Sequence, residues 1–169
     1  MKNKTFRGIC GALLFAFAAC ILGGYEISGI SVAVAVLLLA GVALDPLCAV
    51  LASALYLVVG IWLPVYPGLT RGLGVLFGAR GGFLLSLLFC TFIIAALRRG
   101  LRRNLFLATL AGLCVSFLLF FGVGILWQVL RTGDSFAAVL NAQLGRRMLL
   151  FGLDSLLALL ASPSLYRAV

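Results

Sequence analysis

The sequence predicts an all-α membrane protein, a six-transmembrane-helix bundle that forms a single transmembrane domain over residues 1–169. Apolar residues make up 64% of the chain and charged residues only 10%, which is too few charges to cover a soluble core. A spanning helix needs roughly 20 apolar residues, because the hydrocarbon layer is about 30 Å thick and an α-helix rises about 1.5 Å per residue. Runs of that length account for nearly the whole chain, so no separate soluble domain is expected.

Polar and glycine-containing breaks delimit the six predicted helices. Backbone groups in lipid must hydrogen-bond within their own segment, so long apolar runs without strand-like alternation indicate helices. Pro46, Pro64 and Pro67 fall at predicted helix ends or in loops, where a missing N–H group costs least. The predicted spans are residues 7–24, 30–44, 46–64, 82–98, 104–130 and 144–162.

The distribution of cations predicts a multi-pass protein of the inner (plasma) membrane with both termini in the cytoplasm. The net charge is +9, and positive residues accumulate at the cytoplasmic ends of spans. We therefore interpret the basic excess as loop asymmetry in a lipid bilayer and expect no nucleic-acid partner. The predicted inner cations are Lys2, Lys4, Arg7, Arg98, Arg99, Arg102, Arg103 and Arg167, and the outer ones are Arg71, Arg80, Arg131, Arg146 and Arg147.

A glycine-rich loop from Val65 to Gly82 lies between predicted helices 3 and 4, outside the membrane in this topology. Its glycines allow tight turns and close backbone approach. The apolar residues between Leu73 and Phe77 are unsuited to a free loop in water. We expect this extracellular loop to fold back and cap a cavity between the helices.

Asp154 lies well inside an apolar run, where a charge costs roughly 2.5–3.5 kcal/mol on insertion scales. It should face the bundle interior, either as a hydrogen-bonding anchor between helices or as a contact for a ligand or proton. Arg71 and Arg80 either contact lipid headgroups or present a guanidinium group to a ligand carboxylate. Tyr56 either packs in the bundle or offers its hydroxyl or ring to a ligand.

The first predicted helix has small residues at every fourth position, which places them along one face. Such faces allow a second helix to approach closely in lipid. The second helix could belong to the same bundle or to a separate subunit. The small residues are Gly8, Ala12, Ala16, Cys20 and Gly24.

The residue inventory does not favour an enzyme. The chain has no His, and its five cysteines are scattered singly, so we expect neither a metal site nor a cofactor. Gly72-Leu73-Gly74 precedes an apolar stretch without a Walker lysine, so energy from ATP would have to come from a partner protein.

The segment YLVVGIWLPVYPGLTRGLGVLFGARGGF, from Tyr56 to Phe83, resembles the BioY family, the biotin-binding S components of energy-coupling-factor (ECF) transporters. Residues 36–46 also resemble the second helix of the family, and Gly152-Leu153-Asp154 occupies the place of its Pro-Gly-Asp. The matching residues in the segment are Tyr56, Leu57, Gly60, Leu63, Pro64, Val65, Gly68, residues 72–76, Gly78, Gly81, Gly82 and Phe83.

The chain also departs from the family pattern. Basic residues that often follow the loop aromatic and the aspartate are replaced by Leu84 and Leu157, and Ala33 stands where a glutamine is expected. Ser28-Gly29 lacks the prolines of the family, and Ala79-Arg80 replaces Pro-Thr. If the basic residues hold the biotin carboxylate, this chain must use another group, and Arg71 or Arg80 is our hypothesis.

The resemblance implies a substrate-binding subunit of a vitamin uptake transporter that captures biotin from outside for ATP-driven import. Its implied partners are an ECF coupling transmembrane protein and two ATP-binding subunits. Asp154 and groups near Thr70 would hold the ureido end, and a loop arginine would meet the valerate carboxylate. The expected substrate-binding residues are Asp154, Arg71, Arg80, Thr70, Gly72, Tyr56 and Phe83, and the expected partner-binding residues are Gly8, Ala12 and Ala16.

Two alternatives remain open from the sequence. The absence of the basic residues is compatible with an S component for a different small molecule. The small-residue face is compatible with a membrane scaffold subunit that has no substrate.

Overall fold

Helices make up nearly all of the computed structural model, which describes residues 2–23, 26–27, 30–101, 104–144, 149 and 151–160. A two-residue antiparallel pair, β1 (Glu26–Ile27) and β2 (Ile30–Ser31), follows the first helix. The helices are α1 (Lys2–Gly23), α2 (Val32–Ala43), α3 (Pro46–Trp62), α4 (Leu73–Leu76), α5 (Gly81–Gly100), α6 (Leu105–Thr132), α7 (Phe136–Leu144) and α8 (Phe151–Leu160).

The predicted all-α membrane fold class is confirmed, whereas the count of six membrane spans stays a prediction. Five of the six predicted segments coincide with helices to within a few residues. The sequence pattern did not predict α7, a nine-residue helix that follows the left-handed turn at Gly133. Its Asn141 and Gln143 interrupt an apolar stretch that is too short to span a membrane. The last predicted span is helical from Phe151 to Leu160. Outside the described residues lie the rest of that span (145–148, 150, 161 and 162), Gly24, Ser28, Gly29, Arg102, Arg103, Arg146, Arg147 and Arg167.

Three helices within the described ranges are long and apolar enough to cross a membrane by length and composition. They are Thr5–Gly23, Gly81–Gly100 and Leu105–Thr132, with 19, 20 and 28 residues. Val32–Ala43, Pro46–Trp62 and Phe151–Leu160 are shorter apolar helices. The outer surface of the bundle carries large exposed apolar side chains on several helices, which is expected of a surface that faces lipid.

Helix α5 lies at the centre of the bundle and packs against α2, α3 and α6. Glycines on its neighbours permit the close approach, because a Cβ atom at Gly41 would lie 3.1 Å from the Thr91 carbonyl oxygen. A Cβ atom at Gly112 would lie 3.0 Å from Ile94 Cα. Because the hydrophobic effect does not drive helices together in lipid, close van der Waals packing at such small residues stabilises the helix contacts.

Buried polar groups join α5 to two of its neighbours. The hydroxyl groups of Ser53 on α3 and Thr91 on α5 lie 2.8 Å apart. The Ser116 hydroxyl on α6 donates to the Cys90 carbonyl oxygen at 3.2 Å, and the Cys90 thiol donates to the Ser116 carbonyl oxygen at 3.4 Å. These hydrogen bonds fix the register of three helices at about mid-length.

The small-residue face of α1 is covered by the chain itself. Ala12 is fully buried with Ala40 of α2 and Ala52 of α3. Ala16 is 5% exposed, and a Cβ atom at Gly8 would lie 2.8 Å from the Cys48 sulphur of α3. In this arrangement the face expected to bind a partner packs inside the bundle, which corresponds to the intramolecular alternative.

Candidate functional site

The loop between α3 and α5 folds back onto the end of α3. Tyr66 and Thr70 form an antiparallel bridge, with N···O distances of 3.2 and 3.3 Å, around a turn at Gly68 and Leu69 that have φ angles of 77° and 56°. The Gly72 N–H group, at a φ of 98°, then donates to the carbonyl oxygen of Gly60 at 3.0 Å. Two backbone hydrogen bonds thus shape the loop, and a third fastens it to the helix that precedes it.

Two tyrosines pack beneath this loop. Tyr56 and Tyr66 are both fully buried, and their rings meet edge to face at 5.9 Å. Burial also raises the pKa of the Tyr66 hydroxyl, with a smaller contribution from Cys20, so Tyr66 remains a hydrogen-bond donor at neutral pH. Tyr56, predicted as a possible ligand contact, is therefore part of the support of the loop in this structure.

The far end of the loop is fastened to α6. The Trp127 indole N–H donates to the Gly78 carbonyl oxygen at 3.0 Å, and Gly82 packs directly against the Trp127 side chain. The Arg131 guanidinium group lies 5.4 Å from the centre of the Trp127 ring, which is a cation–π distance. The loop consequently bridges α3 and α6 across the start of α5.

A chain of aromatic contacts runs from the start of α5 to α8. Phe83, which is 8% exposed, lies 5.3 Å from Phe120 of α6. Phe120 stacks on Phe151 of α8, with 4.7 Å between the ring centroids and 30° between the ring planes. Phe120 also packs against the cluster of buried residues that contains both tyrosines. Phe120, together with the neighbouring Phe121, thus connects the loop region with α8.

Asp154 lies on the buried face of α8. Phe151, Asp154 and Ala158 share this face and are 3%, 5% and 0% exposed. Among the charged residues whose burial the structure describes, no other is buried to this degree. Within the same part of the chain, no group is seen to hydrogen-bond or ion-pair with the Asp154 carboxylate. A buried carboxyl without a partner is costly, which makes it a candidate for binding a ligand.

Asp154 and the loop lie at different depths in the bundle. Trp127 on α6 contacts the loop at Gly78, whereas Phe117 on the same helix contacts Phe151, one turn before Asp154. The ten residues from Phe117 to Trp127 correspond to about 15 Å along the helix. A ligand that contacts both Asp154 and the loop must therefore be elongated.

The remaining predicted site residues belong to the outer loop. Arg71 and Arg80 are both exposed, and Arg80 immediately precedes α5. The Thr70 hydroxyl donates to the Pro67 carbonyl oxygen at 3.1 Å. Thr70 lies in the loop and Asp154 on α8, and no contact between the two is seen among the described residues.

A groove of about 430 Å³ lies between α6 and α8, on a different side of α8 from Asp154. The buried Ser155 hydroxyl at this groove has no hydrogen-bond partner among the described residues. The lining is otherwise apolar. It consists of Leu110, Leu113, Cys114, Phe117, Leu118, Gly152, Ser155, Leu156 and Leu159.

The described ranges contain no cluster of His, Cys, Asp or Glu side chains with the number of ligands that a metal ion requires. The free cysteines are spread over four helices. The chemistry available to the candidate site is therefore a buried carboxyl, aromatic and aliphatic surfaces, and guanidinium groups at the rim.

The sequence pattern did not single out Phe120, Phe151, Tyr66 or Trp127. A signal was present in Phe117, Phe120 and Phe121, whose spacing places three rings on one side of a helix. The rings make tilted or edge-to-face contacts, including 4.9 Å between Phe117 and Phe121. An aromatic cluster inside a membrane bundle is usually plain packing, so the spacing alone could not identify a site.

Comparisons with known proteins agree with this architecture. No curated protein matches the chain significantly. The structure is similar to a crystal structure at 2.1 Å of the S-component for biotin from an ECF-type ABC transporter, with a TM-score of 0.85. The two share 20% sequence identity, and the match covers 99% of this chain and 94% of the other. The BioY family matches the sequence over residues 1–169, and the chain therefore belongs to the BioY family.

Proposed function

We propose that this chain is the substrate-binding subunit of a vitamin uptake transporter and captures biotin from outside the cell. Membership of the BioY family supports this proposal, as does the similarity in fold to the S-component for biotin from an ECF-type ABC transporter. The single structural observation that carries it is Asp154, a buried carboxyl without a partner in the described residues, at the end of an aromatic path from the outer loop.

The ligand would lie along this path. The Asp154 carboxylate would accept hydrogen bonds from the ureido N–H groups, because an unpartnered buried acceptor gains most from a donor. The rings of Phe83, Phe120 and Phe151 would contact the apolar bicycle. The valerate chain would point to the loop, where Arg71 or Arg80 would meet its carboxylate. Thr70 and Gly72 would contribute at this outer end, and Tyr56 would support the loop.

The transport cycle would require other proteins. The described chain contains no phosphate-binding loop, so ATP-driven import would depend on a coupling transmembrane protein and two ATP-binding subunits. The chain would reside in the inner (plasma) membrane with both termini in the cytoplasm, because the cluster beginning at Arg98 and Arg99 then lies inside. The chain itself would not be an enzyme.

The test is calorimetric titration of the detergent-purified protein with biotin, together with the Asp154→Asn variant. Asp134→Asn is the matched control, because Asp134 is exposed after α6. We expect tight binding to the wild type and the control, and at least a tenfold loss in Asp154→Asn, since the amide is a weaker acceptor than the carboxylate.

The same titration separates the alternatives. Absence of biotin binding to the folded wild type would contradict the proposal, and a screen of other vitamins would then test for a different ligand. If Asp154→Asn changed only the thermal stability and no tested ligand bound, the chain would be a scaffold subunit.

A further inference from the structure

The charges in the described part of the chain are segregated between a buried carboxyl and an exposed cationic rim. Asp154 is buried, and no cation is buried beside it in the ranges that the structure describes. The cations at the loop end, Arg71, Arg80 and Arg131, all belong to exposed residues. Among the described residues, a ligand anion therefore finds cations only at the rim.

The interior of the site disfavours a ligand carboxylate. Two carboxylates in a low-dielectric site repel each other, and an anion taken out of water without a cation loses its hydration. The rings of Phe83, Phe120 and Phe151, which contact one another between the loop and α8, provide no charge to offset this cost. A ligand with one anionic end must place that end outward.

The rim can contribute only little to affinity. Trp127 positions this rim, because its indole N–H donates to the Gly78 carbonyl oxygen of the loop and its ring lies beneath the Arg131 guanidinium group. Ion pairs with exposed arginines are screened by water and salt, and they change affinity by at most about fivefold. The outward end of the ligand is thus held weakly, whereas the inward end meets a buried and unpartnered group.

From this charge arrangement we infer that the protein selects its ligand by the uncharged ring end and accepts ligands whose tail carboxylate is neutralised as an amide or ester. This inference rests on the proposed function, because it takes biotin as the reference ligand. The substrate class is then biotin together with tail-conjugated biotin compounds, such as biotin amides. The neutral tail loses only the weak contact at the rim.

The experiment compares three ligands by calorimetry on the intact, detergent-purified chain. They are biotin, biotinamide, and biotin with a methoxycarbonyl group on one ureido nitrogen, which removes a ring-end donor. We expect biotin and biotinamide to bind within about fivefold of each other. The ring-blocked compound should lose at least about 100-fold, as expected for a missing hydrogen bond to a buried charged group that also leaves that group unpaired.

The outcomes distinguish this inference from the proposed function. If biotin binds and biotinamide binds more than about tenfold more weakly, the effect exceeds that of an exposed ion pair and the inference is wrong, while biotin capture stands. Binding of neither biotin nor biotinamide would overturn the proposed function and this inference together.

Discussion

Tyr56 and Tyr66 each donate a hydroxyl hydrogen bond to the backbone beside the other. The Tyr56 hydroxyl bonds the Val65 carbonyl oxygen at 3.1 Å, and the Tyr66 hydroxyl bonds the Leu57 carbonyl oxygen at 2.6 Å. One partner of each bond lies on α3 and the other in the loop. Two buried hydrogen bonds and an edge-to-face ring contact therefore hold the outer loop on the helix that precedes it.

Replacement of Tyr66 by Phe should loosen this attachment. The change keeps the ring but removes the bond to Leu57, and a hydrogen bond of this kind contributes about 0.5–1.5 kcal/mol. Thermal unfolding of the purified protein in detergent should show a lower midpoint. Phe77→Leu is the control in the same loop, because Phe77 is 52% exposed. Equal midpoints for Tyr66→Phe and the wild type would contradict the role of the hydroxyl.

The raised pKa of Tyr66 predicts a dependence of stability on alkaline pH. Its ordinary value is 10.0, and burial raises the pKa in the folded state. The unfolded state therefore releases the proton first as the pH rises. The stabilisation is complete below about pH 10 and is lost as the pH rises towards the folded pKa. The free energy of unfolding, measured by chemical unfolding from pH 9 to 11, should decline less in Tyr66→Phe than in the wild type. Identical declines would count against a contribution of Tyr66 to this pH dependence.

Gly60 should not accept a methyl group. A Cβ atom there would overlap the Tyr66 ring, so Gly60→Ala should displace the tyrosine and destabilise the protein by about 1–3 kcal/mol, as overpacking does. Gly74→Ala is the matched control, because a Cβ atom at Gly74 has no neighbour within 4 Å. Thermal unfolding and biotin titration of both variants check this. Equal effects of the two changes would show that the loop does not depend on the contact.

The sequence was sufficient to predict the fold class because the length of an apolar run is a direct consequence of membrane thickness. It also indicated the burial of Asp154, because an isolated charge in an apolar helix has few other positions. It could not predict which surface covers the small residues of α1. Small-residue spacing indicates that some helix approaches closely but does not identify that helix, and Ala12 is in fact packed against α2 and α3.

The site was harder to predict than the fold because its parts are far apart in the sequence. Phe120 contacts Phe83 and Phe151 through tertiary packing, and periodicity describes only the face of one helix. The relative depth of Thr70 and Asp154 depends on how α8 packs along α6. No local pattern contains that information, so the sequence alone does not tell whether the two residues meet the same end of a ligand.

The start of the aromatic path should depend on Gly124 of α6. A Cβ atom at Gly124 would overlap the Phe83 ring, so Gly124→Ala should shift Phe83 away from Phe120. Gly122→Ala, on the same helix, meets nothing within 4 Å and should be neutral or stabilising by up to about 1 kcal/mol, because Ala favours helix more than Gly. The unfolding midpoint should fall in Gly124→Ala and should stay equal or rise in Gly122→Ala. A lower midpoint for Gly122→Ala alone would refute this packing.

The hydroxyl pair Ser53 and Thr91 should show energetic coupling. The two groups lie 2.8 Å apart and both side chains are fully buried. A double-mutant cycle with Ser53→Ala and Thr91→Val should give a coupling of about 0.6 kcal/mol, as interhelical hydrogen bonds in membranes do. A cycle of Ser53→Ala with Thr132→Val provides the control, because Thr132 is exposed at the end of α6. Coupling as small as in the control would argue against a stabilising bond.

The packing of α1 predicts that Ala12→Leu destabilises the isolated subunit. Ala12 is fully buried against Ala40 and Ala52, so three extra carbon atoms have no space and should cost about 1–3 kcal/mol. Cys10→Leu is the control on the same helix, because Cys10 is exposed and a larger apolar side chain there meets the surroundings of the bundle. Thermal unfolding of both variants without partner subunits measures the difference. If Ala12→Leu unfolded like the wild type and failed only to associate with transporter subunits, the small-residue face would have to be open, and α1 would have to separate from α2 and α3 in the protein.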